Sequence, residues 1–271
     1  MNFIKILDTL SNKELLTETG SRRDSFTKMK NIGKDMALAS IPFGLAATSK
    51  KTSAATMAMP SAAAQADPLA ILNFALTLEY LERNFYAMGV GTAGLIPQAD
   101  MDVFGLIADH EAAHVDFLVA GITAAGGTPV AEPTFDFTAG GSLDTFNNYQ
   151  TFMALAQGFE DTGVRAYKGQ AGGLADSNDL LQYALQIHSI EARHASQIRR
   201  MRGEKGWIVQ NDNTLPANFA AIYAGEQNTV QGGVDLSGMF GNVGGDAAVT
   251  AAFDEPLTMA EVNAIASIFI V

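Results

Sequence analysis

Apolar residues recur at helical spacing along most of the chain, and glycines separate the repeating stretches. Leu72, Ala75 and Leu76 show this spacing in one stretch, and Phe152 and Leu155 show it in another. Residues three or four positions apart lie on one face of a helix, so each stretch predicts a helix with one buried face. The pattern predicts four long helices, over residues 68–88, 99–125, 144–171 and 177–204.

Residues typical of helix ends flank these stretches. Asp67 suits the N-cap of the first helix, and Pro68 is tolerated at its first position. Glycines follow each of the four helices, where a left-handed residue commonly closes a helix. Near the C-terminus, Thr258 and Glu261 form the pattern of a capping box, which predicts a last helix over residues 258–269.

The lengths of the connections predict how the helices are arranged. Short connections join the first helix to the second and the third to the fourth, so each pair is expected to form an antiparallel hairpin. Residues 128–143 can cross the bundle, because extended chain covers about 3.3 Å per residue and a helix of about 27 residues measures about 40 Å. The predicted fold is therefore all-α: a four-helix bundle of two antiparallel hairpins joined by a long crossover.

Three parts of the chain differ in composition. Residues 67–205 carry the predicted bundle. Residues 206–271 are rich in glycine, which predicts a loop-rich extension that packs on the bundle and ends in the short helix. Residues 1–66 read as a leader or N-terminal arm. In this part, Arg22-Arg23 precede a mildly apolar stretch and then Ala64-Gln65-Ala66.

The leader resembles a twin-arginine export signal with a small-residue cleavage site. It predicts a protein that is exported to the periplasm or the extracellular space, with a mature chain that starts at Asp67. The alternative is a cytoplasmic protein that keeps an uncleaved arm. No apolar run in the sequence reaches the length of a transmembrane helix.

The charge of the chain is unevenly distributed. The net charge is −12, but residues 1–66 contain nine Lys/Arg and five Asp/Glu, whereas residues 67–271 contain eight Lys/Arg and 24 Asp/Glu. An acidic body argues against nucleic acid as a partner and suits a cation. The chain has no cysteine, which excludes disulfides, thiolate metal sites, iron–sulfur clusters and cysteine nucleophiles.

Two Glu-x-x-His pairs stand in the second and fourth predicted helices. They are Glu111 with His114 and Glu191 with His194. Residues at i and i+3 share a helix face, so each pair can direct a carboxylate and an imidazole to the same point. One such pair is common on a solvated surface, but two in a chain with four histidines indicate a shared site.

The first and third predicted helices each carry a glutamate among apolar neighbours. A buried carboxylate without a partner is costly, so Glu79 and Glu160 are expected to be paired, protonated or bound to metal. Tyr86 follows Glu79 by seven positions, and Tyr167 follows Glu160 by seven. The chain thus contains an internal repeat, which predicts that the carboxylates and imidazoles of the two hairpins meet at one height.

These features resemble the ferritin-like superfamily of di-iron and di-manganese carboxylate proteins, and the Glu-to-Tyr spacing resembles bacterioferritins in particular. Segments 78–82, 110–114 and 253–262 are similar to a bacterial branch that includes plant desiccation-related proteins. The resemblance covers about residues 67–271. It implies a ferritin-like four-helix bundle that holds two metal ions.

The resemblance also implies a role for each residue of the site. Glu111 and Glu191 are expected to bridge the two ions. The expected terminal ligands are Glu79, His114, Glu160 and His194. Hard carboxylates with two imidazoles suit iron or manganese, and zinc is a further candidate. The alternative is a set of buried Glu–His or Glu–Arg pairs that bind no metal.

Five other side chains near the pattern are open to more than one interpretation. Glu82, one turn after Glu79, is expected to form a surface pair with Arg83 or Arg165 rather than bind metal. His188 is expected not to be a ligand, and His110 is expected to face outward or toward a neighbouring helix. The two repeated tyrosines, Tyr86 and Tyr167, are candidates for hydrogen-bond donors or radical relays at the site, and the alternative is that they are ordinary core tyrosines.

Three functions remain open from the sequence. The first is a redox enzyme that reacts with oxygen or peroxide, such as an oxidase, a peroxidase or a catalase-like protein. The second is iron binding or storage without turnover, which requires a homo-oligomeric cage. The third is a stress-related structural protein whose bundle mainly binds a partner.

Overall fold

Four long helices form the main body of the computed structural model, which describes residues 67–211 and 214–271. They are α1 (Pro68–Gly91), α2 (Met101–Ala124), α3 (Tyr149–Ala171) and α4 (Asn178–Met201). A short 3-10 helix, Gly172–Leu174, lies between α3 and α4. The predicted export signal and its cleavage site fall in residues 1–66 and lie outside the described residues.

Local side-chain contacts explain where two of the helices begin. Asp67 caps α1, because its carboxylate accepts a hydrogen bond of 3.1 Å from the backbone N–H of Leu69, and Pro68 occupies the first position as predicted. Helix α3 begins at Tyr149, later than the predicted start at residue 144. The side chain of Asn148 accepts hydrogen bonds from the first backbone N–H groups of the helix and so starts it there.

Contacts along the helices show that each hairpin is antiparallel. In the first hairpin, the beginning of α1 lies near the end of α2, and further along Tyr86 stacks on Phe104 with 6.2 Å between ring centroids. In the second hairpin, Asp161 pairs with Arg199, and Gly163 lies beside Glu191. Both arrangements confirm the predicted hairpins.

The two hairpins are joined so that α2 and α3 run parallel. Tyr86, late in α1, hydrogen-bonds Glu160 in the middle of α3, and Tyr167, late in α3, hydrogen-bonds Glu79 in the middle of α1. Helices α1 and α3 are therefore antiparallel. Since α1 is also antiparallel to α2, the second and third helices have the same direction, as the long crossover requires.

The crossover follows α1 from its beginning to its later turns. Asn73 contacts its first part, through the carbonyl of Thr128 and the N–H of Val130. Further along, Asn84 donates a hydrogen bond of 2.5 Å to Glu132. The ring of Phe137 then packs against Phe85 with 5.4 Å between centroids. The connection thus spans the bundle, as predicted.

The C-terminal extension contains little regular structure. After a 3-10 helix at Ala217–Tyr223 come a two-stranded antiparallel sheet and two short helices: β1 (Val230–Gln231), β2 (Val234–Asp235), α5 (Asp246–Thr250) and α6 (Met259–Ala266). Thr258 and Glu261 form the predicted capping box at the start of α6. The loop-rich extension with a terminal helix is therefore confirmed, although α6 ends three residues before the predicted boundary at residue 269.

A buried arginine fixes the extension to α3. Arg165 is fully buried and forms an ion pair of 2.8 Å with Glu226. Its guanidinium also donates hydrogen bonds to the carbonyls of Ile222, Ala224 and Glu255. All of these partners belong to the extension, so a single side chain of the bundle binds two separate segments of it.

The apolar core consists of two clusters, one toward each end of the bundle. One contains Phe85, which stacks on Phe152 with 4.7 Å between ring centroids. The other contains Leu76, Ile122 and Leu174. The layer between the two clusters is polar. Within the described part of the chain, no helix combines the length and apolar character needed to cross a membrane.

Candidate metal centre

Six polar side chains from all four helices meet in the layer between the apolar clusters. Each hairpin contributes one glutamate from its first helix and a Glu-x-x-His pair from its second. The four carboxylates are fully buried, and the two imidazoles are mostly buried. The structure thus brings together the six residues singled out in the sequence: Glu79, Glu111, His114, Glu160, Glu191 and His194.

The six side chains form two overlapping groups, each of which could hold a metal ion. One group is Glu79, Glu111, His114 and Glu191. The other is Glu111, Glu160, Glu191 and His194. In each group the candidate ligand atoms lie within 4.8 Å of one another. Glu111 and Glu191 belong to both groups, which is the arrangement expected of carboxylates shared by two ions.

Glu111 shows how one carboxylate serves both groups. Its Oε2 lies 3.0 Å from Nδ1 of His114, and its Oε1 lies 2.9 Å from Nδ1 of His194. Glu191 approaches the first group as well, with Oε1 at 3.3 Å from Nδ1 of His114. Because each oxygen of Glu111 faces a different histidine, this carboxylate spans the space between the two groups.

The two glutamates of the first and third helices each have one oxygen bound by a tyrosine. Tyr86 donates to Oε1 of Glu160 at 2.5 Å, and Tyr167 donates to Oε1 of Glu79. The second oxygen lies 3.2 Å from the imidazole of the same hairpin for Glu79 and 3.3 Å for Glu160. The tyrosines are thus hydrogen-bond donors that turn the other oxygen of each carboxylate toward the cluster.

Several buried atoms of the cluster have no hydrogen-bond partner among the described residues. They are Oε1 of Glu111, Oε2 of Glu160, both oxygens of Glu191 and Nδ1 of His194. Nδ1 of His194 lies close to two of these oxygens, but the angles are not those of a hydrogen bond. Since buried polar atoms nearly always have partners, their convergence on a common space fits metal ions as those partners.

The electrostatics of the cluster favour added positive charge. Burial and repulsion from Glu191 raise the pKa of Glu79 well above its ordinary value, and burial and repulsion from Glu111 raise the pKa of Glu191 in the same way. Burial alone would lower the pKa of His194, but the carboxylates of Glu160 and Glu111 raise it to about 11. The four carboxylates can carry more negative charge than the two imidazoles can neutralise. Two divalent cations would balance the four negative charges.

His110 orients one of the two imidazoles. Its Nδ1 lies 3.0 Å from Nε2 of His194, and the two rings stack with 5.3 Å between centroids. It therefore faces the neighbouring helix, one of the two orientations expected from the sequence. If Nδ1 of His194 held a metal, its Nε2 would carry the proton and would donate a hydrogen bond to Nδ1 of His110. Burial and the nearby charge of His194 lower the pKa of His110.

Glu82 is a buried carboxylate that the sequence interpretation wrongly placed at the surface. Only 3% of it is exposed. Its expected partners are engaged elsewhere, because Arg83 pairs with Glu132 at 2.5 Å and Arg165 pairs with the extension. The i, i+3 spacing from Glu79 was the signal that could have placed Glu82 on the buried face.

Gly163 makes room for this additional carboxylate. A Cβ at that position would come within 3.2 Å of Oε1 of Glu82 and within 3.2 Å of Oε2 of Glu191. Both carboxylates therefore pack against α3 at Gly163, where the helix has no side chain. Burial, followed by repulsion from Glu191 and Glu160, raises the pKa of Glu82 well above its ordinary value.

A second buried network holds α3 next to the cluster. Arg199 binds both oxygens of Asp161, at 3.0 and 2.6 Å, and Tyr223 of the extension donates to the same carboxylate at 2.7 Å. Asp161 directly follows Glu160, so the network fixes the backbone that carries this glutamate. His188 belongs to neither metal-binding group, and the expectation that it is not a ligand stays a prediction.

Comparison with known proteins agrees with the fold and the site. A family model described as a ferritin-like domain matches residues 67–204, which include all four long helices. No curated protein matches the chain significantly. The match supports the resemblance to the ferritin-like superfamily. The narrower resemblance to the branch with plant desiccation-related proteins stays a prediction.

Proposed function

The chain belongs to the ferritin-like domain family, and on this basis we propose that it binds two iron or manganese ions and reacts with oxygen or peroxide in redox or stress defence. The proposal rests mainly on the two overlapping groups of candidate metal ligands, which share Glu111 and Glu191. Carboxylate and imidazole atoms are ligands that suit iron and manganese. Thiolates, which favour softer metals, are lacking in the sequence.

The chain's own side chains prepare the place where such chemistry would occur. A bound metal pair would supply a binding position for the oxidant and the electrons for its reduction. Tyr86 and Tyr167 hold the outer oxygens of two carboxylates, and His110 holds the orientation of His194. Apolar clusters lie on both sides of the layer, and electrostatic interactions are stronger next to such low-dielectric surroundings.

The first test is the identity and number of the metals. Protein purified without added metal would be subjected to elemental analysis, and its crystals to anomalous diffraction at the iron and manganese edges. We expect about two ions per chain, separated by roughly 3.5–4 Å as in other two-metal sites. Only trace metal in protein loaded with iron or manganese would leave the buried Glu–His pairs as the explanation of the cluster.

The second test is the reaction. Metal-loaded protein should consume oxygen or peroxide faster than metal-free protein, and Glu191→Ala should abolish the difference. Uptake of many ions per chain without such consumption would favour storage. Consumption that persists equally in Glu191→Ala would exclude this cluster as the reactive centre.

We also propose that residues 1–66 direct export of the folded protein. Support comes from Arg22-Arg23, the apolar stretch that follows and the small residues at 64 and 66. Changing both arginines to lysine should retain the protein in the cytoplasm. An exported protein that still begins at Met1 would contradict cleavage before Asp67.

A further inference from the structure

A cavity of about 310 Å³ lies inside the bundle, at the end where α1 begins and α2 ends. All four long helices contribute to its wall. Its inner lining is buried and apolar, as shown by Leu72, Leu118, Leu174 and Ile187. The cavity is separate from the two metal-binding groups, whose candidate ligands do not line it.

Part of the cavity wall is formed by exposed side chains of α2 and α4. Phe117 of α2 and Tyr183 of α4 line this part of the wall, and each is 41% exposed. Their rings meet edge to face with 5.2 Å between centroids. Gly121 lines the wall on α2, where it adds no side chain.

One wall of the cavity reaches the candidate metal centre. The side chain of Tyr167 lines the cavity, and its hydroxyl hydrogen-bonds Glu79. Leu78, the neighbour of Glu79 in α1, also lines the cavity. A molecule in the cavity would thus pack against the tyrosine that holds a candidate ligand.

We propose that this cavity binds a small neutral apolar molecule, of the size of a two-ring aromatic or a hydrocarbon chain of about ten carbons. An apolar protein cavity of about 150 Å³ accommodates benzene, and this cavity has about twice that volume. Pockets for small organic ligands begin at about 300 Å³ and are lined mainly by apolar side chains.

The polarity of the lining selects the class of ligand. No charged side chain is present among the residues that line the cavity, and only Tyr167, Gln170 and Tyr183 carry polar side-chain groups. The hydroxyl of Tyr167 is already used by Glu79. A charged or strongly polar molecule would lose its hydration without replacement, so the occupant is neutral and apolar.

This binding site needs no metal, so it can be tested apart from the proposed function. The neutral fluorophore N-phenyl-1-naphthylamine would be titrated into the full-length protein, both metal-free and metal-loaded. We expect saturable binding of one probe per chain in both forms, and displacement by decan-1-ol. Metal content measured in the same samples distinguishes a failure of this site from a failure of the metal centre.

Two glycines of the same helix provide matched variants. Gly121 lines the cavity and Gly105 does not, and a Cβ at either position would meet no atom within 4 Å. Gly121→Leu should weaken probe binding at least about tenfold by occupying the cavity, whereas Gly105→Leu should leave the affinity unchanged. Both changes favour the helix, so neither is expected to prevent folding. Ala184→Phe, on α4, provides a second way to fill the cavity.

Several outcomes would overturn the proposal. Wild-type protein without saturable probe binding would do so, as would equal losses in the two glycine variants. A crystal structure with the probe bound elsewhere would also contradict it. If the cavity is instead covered by a second copy of the chain, size-exclusion chromatography should show a wild-type dimer that Gly121→Leu disrupts, with no probe bound to the dimer.

Discussion

The hydroxyl of Tyr86, on α1, donates a hydrogen bond of 2.5 Å to Oε1 of Glu160, on α3. The repeat-related bond joins Tyr167, on α3, to Glu79, on α1. Each tyrosine follows the glutamate of its own helix by seven residues, or about two turns. Because α1 and α3 are antiparallel, each tyrosine reaches the glutamate of the other helix. The two hairpins are therefore joined at the candidate metal centre itself.

Tyr86→Phe should weaken metal binding without unfolding the bundle. The phenyl ring keeps the packing, but Glu160 loses the donor that orients its carboxylate. Loss of such an outer partner commonly lowers metal affinity about 10–100-fold. The affinity would be measured by competition with a chelator, and Tyr167→Phe should show a loss of similar size.

Tyr149→Phe is the matched control for these variants. The hydroxyl of Tyr149 donates to Asp100 at 2.7 Å, outside the candidate metal centre. This variant should therefore bind metal like the wild type. Unchanged affinity in both Tyr86→Phe and Tyr167→Phe would show that the repeated hydrogen bonds do not support metal binding.

Glu191→Ala and His114→Ala should differ in the number of ions lost. Glu191 belongs to both metal-binding groups, whereas His114 belongs to one. Glu191→Ala should therefore lose both ions, and His114→Ala should retain about one per chain. Elemental analysis after loading and buffer exchange would give the ratio, and His188→Ala, outside both groups, should retain two.

Removal of metal should lower the melting temperature of the wild type. Ions that bind only the folded state stabilise it, and without them the buried carboxylates repel one another. The difference in melting temperature between the metal-loaded and metal-free forms should be largest for the wild type and smaller for His114→Ala. Glu191→Ala should show no such difference. Equal melting temperatures in all samples would argue against metal binding at this cluster.

Glu82→Gln should stabilise the metal-free protein at neutral pH. Burial and repulsion from Glu191 raise the pKa of Glu82 in the folded state. A carboxyl group with a raised folded-state pKa contributes stability below its unfolded value, about 4.3, and loses that contribution as the pH rises. The free energy of unfolding of the variant should therefore be higher than that of the wild type by on the order of 1–2 kcal/mol near pH 7. This difference should become smaller toward pH 4, as Glu82 becomes protonated in both states.

Glu132→Gln is the control with the opposite sign. A hydrogen bond from Arg83 lowers the pKa of Glu132, so its ionised form contributes stability above the unfolded value and loses it as the pH falls. This variant should be slightly less stable than the wild type near neutral pH. Denaturant unfolding at several pH values would measure both variants. A constant difference between Glu82→Gln and the wild type across the range would rule out titration of Glu82 as the cause.

Arg165→Met should destabilise the protein strongly. The change leaves the buried carboxylate of Glu226 without its ion-pair partner and removes donors from the backbone carbonyls of the extension. Removal of one partner from a buried ion pair costs about 3–5 kcal/mol. Unfolding in denaturant should show such a loss, and Arg165→Met combined with Glu226→Gln should recover part of it.

Arg83→Met tests an exposed pair in the same way. Arg83 and Glu132 form an ion pair with both side chains partly open to solvent, so its loss should cost at most about 1 kcal/mol. If Arg165→Met were no more destabilising than Arg83→Met, the extension would not depend on the buried pair.

The sequence by itself determined the four helices, their hairpins and the six residues of the candidate metal centre. These features follow from local rules, because periodicity defines a helix face and the spacing of Glu111 and His114 places both on that face. Asp67 and Thr258 likewise act on neighbouring backbone groups, so their caps could be predicted. Glu79 and Glu160 occupy equivalent positions in the repeat. The sequence therefore also predicted that the candidate ligands of the two hairpins lie at the same height in the bundle.

Only the tertiary structure decided which further polar residues are buried and where space remains. Glu82 and Arg165 look like surface residues in the sequence, but one lies beside Gly163 and the other binds the extension, far away along the chain. The apolar cavity depends in the same way on how four helices fit together. Burial and cavities arise from the packing of distant segments, and no local pattern specifies that packing.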